Sequence, residues 1–114
     1  MTPLDYSLCN QTVTLYGMRE GKLQRKVLDN CCFAPETGEK AELSGKSRLK
    51  TFLLIIPGDA DLQPGDRVYE GIGPEEVNWQ TFVPAFSENL YEIGRVKKQL
   101  WEGEVTHVEG REAL

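Results

Sequence analysis

The sequence predicts a mainly β fold, a small β-barrel or sandwich of about six short strands with one long loop and a short helical turn. Three observations carry this expectation. Several short stretches alternate apolar and polar residues with period two and are rich in β-branched and aromatic side chains. Turn residues punctuate them at Gly21, Pro57-Gly58, Pro64-Gly65 and Gly103. The most apolar stretch, Phe52, Leu53, Leu54, Ile55 and Ile56, is stopped by Pro57-Gly58 too early for a buried helix.

Residues 11–18 form the first expected strand, with Val13 and Leu15 on one face and Thr12, Thr14 and Tyr16 on the other. Arg19-Glu20-Gly21-Lys22 reads as a hairpin loop, and residues 23–33 as the returning strand. Alternation in that strand is imperfect, which predicts a bulge or twist. Residues 34–47 change character: Pro35, Gly38 and Gly45 accompany five charges and one large apolar residue, Leu43, which reads as a long exposed loop.

Residues 49–56 form the clearest strand, apolar on both faces and therefore central. Gln63-Pro64-Gly65-Asp66 fits a type II turn, so Pro64, Gly65 and Asp66 are assigned a structural role. A short strand follows at residues 67–70, with Val68 and Tyr69 on opposite faces. Pro74-Glu75-Glu76 resembles a helix start, which predicts a short helical turn to about Phe82. Residues 90–101 read as a strand whose buried face switches around Gly94, against a rival helix that would group Leu90, Ile93, Leu100 and Trp101 but whose stripe Gly94 and Lys97 spoil. Glu102-Gly103 then turns the chain into a last strand at residues 104–108, and residues 110–114 read as a fraying tail.

With 114 residues, the expectation is a single domain over 1–114. Apolar residues at 39% and charged residues at 27% fit a globular domain and argue against global disorder. Eighteen acidic residues against thirteen basic ones give a formal charge of −5, which disfavours phosphate-backbone and anionic-membrane binding. No stretch approaches the ~20 apolar residues of a membrane span. The first ten residues lack the basic start and apolar run of a signal peptide, so the chain is expected to stay where it is made.

Candidate chemistry is sparse. The only histidine, His107, has no nucleophile placed beside it by sequence and reads as a half-exposed structural residue. Three cysteines, Cys9, Cys31 and Cys32, form an odd set in which neighbours rarely bridge, so buried inert thiols are expected. Asp59, Asp61 and Glu70 match three positions of a calcium loop, but Pro64 stands where the sharp-turn glycine belongs. With Asp66 they read as turn-forming acids. No phosphate loop, dinucleotide fingerprint or zinc spacing is present. No catalytic, metal or cofactor-binding residue is therefore expected. Arg95, Lys97 and Lys98 lie near Tyr91 and Trp101, a pairing that can bind single-stranded nucleic acid but reads more simply as a solvated strand face. Trp79 and Trp101 read as core or interface anchors.

Leu53-Leu54-Ile55-Ile56-Pro57-Gly58, then Gln63-Pro64-Gly65-Asp66-Arg67-Val68, then Phe82-Val83-Pro84-Ala85 leading into residues 90–101 and a final strand through His107, resemble small minor-capsid and head–tail connector proteins of tailed bacteriophages and prophages. The resemblance rests on order of elements over residues 12–109. It implies a non-enzymatic virion component, in the particle or the host cytoplasm, that joins a homo-oligomeric ring between portal or adaptor and tail proteins. It also implies that a long loop reaches neighbouring subunits. Glu36, Glu39, Lys40, Glu42 and Lys46, with Arg48 just beyond, are the candidate interaction residues there. The acidic net charge departs from direct DNA contact. A generic β-barrel module binding single-stranded nucleic acid or a protein is the alternative expectation.

Overall fold

The computed structural model describes residues 7, 9–35 and 50–113. Seven strands form one antiparallel sheet: β1 (Gln11–Arg19), β2 (Lys22–Pro35), β3 (Phe52–Pro57), β4 (Arg67–Glu70), β5 (Leu90–Glu92), β6 (Arg95–Trp101) and β7 (Glu104–Arg111). Their spatial order is β5-β4-β1-β2-β3-β7-β6. The two end strands, β5 and β6, are separated in sequence by only Ile93 and Gly94, so the sheet curls back on itself in a barrel-like half-turn. The expected strand over residues 90–101 is therefore two strands, one pairing with β4 and the other with β7. The chain bends at Gly94, where a Cβ would collide with the Ala113 backbone.

β2 divides its pairing in the same way. Its first part pairs with β1 from Arg19↔Lys22 to Gln11↔Cys31, and its last four residues pair with β3. The expected irregularity lies between the two, where the register slips between Gln11 and Val13 and Asn30 takes a φ of 60°. Both hairpins turn on a Glu-Gly pair with positive φ at each residue, 54° and 77° at Glu20-Gly21 and 53° and 85° at Glu102-Gly103. That is the backbone of a type I′ turn, which matches strand twist. Strand directions put both turns at one end of the sheet, while Cys9, Pro35 and Arg111 lie at the other.

The core fills the concave face. Val13, Leu54, Val68 and Val108 are fully buried there, and Phe33, Phe52 and Tyr91 form a three-ring cluster with centroids 5.0–5.7 Å apart. β3 buries Phe52, Leu54 and Ile56 inward and half-buries Leu53, Ile55 and Pro57 on the other face, consistent with a central strand.

Several expectations are corrected. β3 begins at Phe52, not residue 49, and Leu49 lies outside the described residues. Ala34 and Pro35 belong to β2, and the rest of the expected loop over residues 34–47, with Glu36, Glu39, Lys40, Glu42, Lys46 and Arg48, lies outside the described residues. Residues 110–113 are not a fraying tail. β7 continues through Arg111 because β3 and β6 both pair with it there, and Gly110 is buried. Beyond the strand, the Phe52 backbone N–H donates to Glu112 Oε1 at 3.1 Å. Leu114 lies outside the described residues.

Residues 74–82 form no helix. The Pro74 carbonyl accepts from the Tyr16 hydroxyl at 2.6 Å and Arg25 Nε at 3.0 Å, contacts that displace a helical hydrogen bond. A 3-10 turn forms instead at Pro84–Phe86, where proline occupies a first-turn position that needs no N–H.

Candidate functional site

The residues singled out for chemistry separate in space, and most are tied into the framework. His107 is buried at 5% exposure, not half-exposed, and its Nε2 meets Glu109 Oε2 at 2.9 Å. Cys9 and Cys32 are joined in a disulfide, with Cα atoms 4.5 Å apart, contrary to the expectation of free thiols. β1 and β2 bring them together, since Gln11 pairs with Cys31 and the Gln11 side-chain amide bonds both the N–H and the C=O of Phe33. Sequence spacing flagged only the neighbours Cys31 and Cys32. The pair that bridges depends on strand register. Cys31 stays a thiol inside the core, where burial pushes its pKa up to about 11 and the Asp29 charge adds to that.

The acidic cluster around the type II turn does not converge on one point. The turn itself forms as expected, with Gly65 at φ 96° and the Asp66 N–H bonding the Gln63 carbonyl at 3.0 Å. Asp66 turns inward to Arg19 and accepts the Gln63 N–H at 3.0 Å. Asp61 meets Arg19 Nε at 3.2 Å, and that hydrogen bond holds its carboxyl below the usual carboxylate range. Asp59 pairs with Lys98 at 3.0 Å, and Glu70 lies on β4 at the other end of that strand. Among the described residues, no group of three or more His, Cys, Asp or Glu side chains is placed to hold a metal.

Residues 71–82 lie over the convex face of β1. Thr14 Oγ1 donates to the Gly71 carbonyl and accepts the Gly73 N–H, and Tyr16 stacks edge-on against Phe82 at 4.7 Å. This cover buries Thr14 and Tyr16, the face of β1 that alternation alone would send to solvent. Arg67 pins the segment from beneath. Its Nη1 donates to the carbonyls of Trp79 at 2.7 Å and Phe82 at 2.6 Å, and its guanidinium lies 3.7 Å from the Trp79 ring. Trp79 is thus a half-buried anchor of this segment, and Trp101 is half-buried at the end of β6.

Lys50 bonds the carbonyls of Ser87, Glu88 and Leu90, beside an open cleft of about 290 Å³. Burial lowers its pKa, with the Glu88 charge opposing, but all three ammonium protons have acceptors. Tyr91 lies in the core and Trp101 at the far end of the strand pair, so the aromatic and basic residues of 91–101 do not form a stacking platform.

Among the described residues, exposed large apolar side chains occur on the convex face of the β1–β2 hairpin and, elsewhere, at Phe86 and Leu100. Met18 and Leu23 are cross-strand partners at 39% and 37% exposure, and Val27 at 41% shares their face. Ile72, at 70%, lies between two glycines bonded to Thr14, the cross-strand partner of Val27. No sequence signal marked this patch, because Ile72 joins it only through the fold of residues 71–73. No family model, curated protein or solved structure matches the chain.

Proposed function

We propose that this protein is a structural component of a tailed phage or prophage particle, a head–tail connector or minor capsid protein that acts by assembly with neighbouring subunits and not by catalysis. The observation that carries the reading is the set of exposed apolar side chains Met18, Leu23, Val27 and Ile72 on the convex side of the β1–β2 hairpin, since exposed apolar surface is a feature of contact sites with other macromolecules. The side chains with most chemical potential serve the framework: Cys9 and Cys32 are bridged, His107 is packed against Glu109, and Asp66 is held by Arg19. No described helix is long and apolar enough to cross a membrane.

In this reading the partners are portal or adaptor and tail proteins, with a homo-oligomeric ring in the particle, and residues 36–48 contribute contacts to neighbours. The test is affinity capture of the tagged protein from prophage-induced source bacteria, with partners identified by mass spectrometry. Recovery of portal or tail proteins supports the assignment. Their absence despite confirmed induction, or capture of nucleic-acid enzymes in their place, overturns it.

A further inference from the structure

The β6–β7 hairpin carries opposite charge at its two ends. At its base Arg95 and Arg111 are direct cross-strand partners, and Lys97 projects from the same face one pair further along. Like charges placed opposite each other repel. Arg95 is offset by Glu112, through Nη2 to Oε2 at 3.2 Å. Lys97 and Arg111 are exposed and make no ion pair among the described residues. Glu109, the cross-strand partner of Lys97, turns to His107 and Gln99 instead. These side chains and Val96 line an open groove of about 340 Å³.

The tip of the same hairpin is the reverse. Glu102 and Glu104 are exposed on the type I′ turn, without ion pairs among the described residues, and Leu100 beside them is 62% exposed. Base and tip are held about 20 Å apart by the length of a seven-residue strand, so they cannot meet within one molecule.

We propose that the acidic tip (Glu102, Glu104, with Leu100) of one copy seats in the basic groove (Arg95, Lys97, Arg111, with Val96) of a second copy of this chain. Two different surfaces meeting front to back make a heterologous contact, which propagates into a ring or a filament. A nucleic-acid strand fits less well, because among the described residues no aromatic lines the groove to stack a base. The inference deepens the assembly reading above by naming the self-contact that reading needs.

The test uses the full chain, a base-reversed variant (Lys97→Glu with Arg111→Glu) and a tip-reversed variant (Glu102→Lys with Glu104→Lys). Circular dichroism first checks that each is folded. Native mass spectrometry and sedimentation velocity then follow the wild type at about 0.02 M and about 0.5 M salt, where screening differs severalfold. The expected result is oligomers of the wild type at low salt and monomer at high salt, monomer for each variant alone, and oligomers restored in their equimolar mixture. Zero-length carbodiimide coupling should join Lys97 to Glu102 or Glu104 between copies. A wild type that stays monomeric at low salt and yields no such cross-link overturns the proposal. So does a mixture that fails to restore association. Salt-sensitive binding of a single-stranded oligonucleotide that the base-reversed variant loses would assign the groove to nucleic acid instead. Restored association without recovery of phage partners would leave this contact standing and remove the connector reading, so the two can fail separately.

Discussion

Arg19 holds Asp66 at two points, Nη1 to Oδ1 at 2.8 Å and Nη2 to Oδ2 at 2.7 Å, and so ties the end of β1 to the type II turn that begins β4. The side chains are 18% and 6% exposed, which sets this pair apart from a surface ion pair. Asp66→Ala leaves a largely buried guanidinium with only the exposed Asp61 and the Met18 carbonyl as partners, and it should cost about 3–5 kcal/mol in chemical denaturation. An apolar double replacement, Arg19→Met with Asp66→Leu, should recover much of that loss. A cost under about 1 kcal/mol for Asp66→Ala would show that the clasp behaves as an exposed pair.

The Cys9–Cys32 disulfide closes a loop between residues 23 apart in sequence. Constraining that loop in the unfolded chain should be worth about 3 kcal/mol, so reduction, or Cys9→Ser, should lower the denaturation midpoint accordingly. Alkylation under denaturing conditions should label one thiol, Cys31, before reduction and all three cysteines after it. Three labelled thiols in air-oxidised protein would contradict the pairing.

Glu112 makes acid stability depend on the last described turn of chain. Burial raises its pKa, but the Phe52 amide, its own backbone amide and the charges of Arg95 and Arg111 outweigh that, so the folded-state value lies below the ordinary one. A depressed carboxyl contributes stability above its unfolded pKa, about 4.3 for a glutamate, and loses it as pH falls through the folded value. Glu112→Gln should therefore lower the thermal midpoint at neutral pH, with the gap to wild type closing below about pH 4. Equal gaps at both pH values would mean that the carboxylate charge plays no part.

A Cβ added at Gly73 would collide with the Tyr16 hydroxyl and lie 3.0 Å from the Tyr69 ring. Gly73→Ala should cost about 1–3 kcal/mol through overpacking. Tyr16→Phe alone should cost about 1 kcal/mol, since its hydrogen bond to Pro74 is lost while Arg25 still serves that carbonyl. The two substitutions should be less than additive, because removing the hydroxyl opens room for the new methyl. Full additivity in a double-mutant cycle would place the clash on Tyr69 alone.

The sequence by itself determined where most of the strands lie and several of their ends. Period-two alternation marks β1, and Pro57 ends β3 where the apolar run predicts. Glu20-Gly21, Gln63-Pro64-Gly65-Asp66 and Glu102-Gly103 determine their turns, since the backbone torsions a turn needs are set by the residues in it. Tertiary structure decided whatever depends on partners far along the chain. Thr14 and Tyr16 are buried because residues 71–82 fold over them, and that same contact takes the Pro74 carbonyl a helix would have used. Gly110 and Arg111 are strand and not tail because β3 and β6 reach them from both sides, and Cys9 bridges Cys32 because β1 pairs with β2 in one register. Alternation tells which residues share a face of a strand. Whether water or another segment covers that face is settled only when the sheet curls and distant residues compete for the same backbone groups.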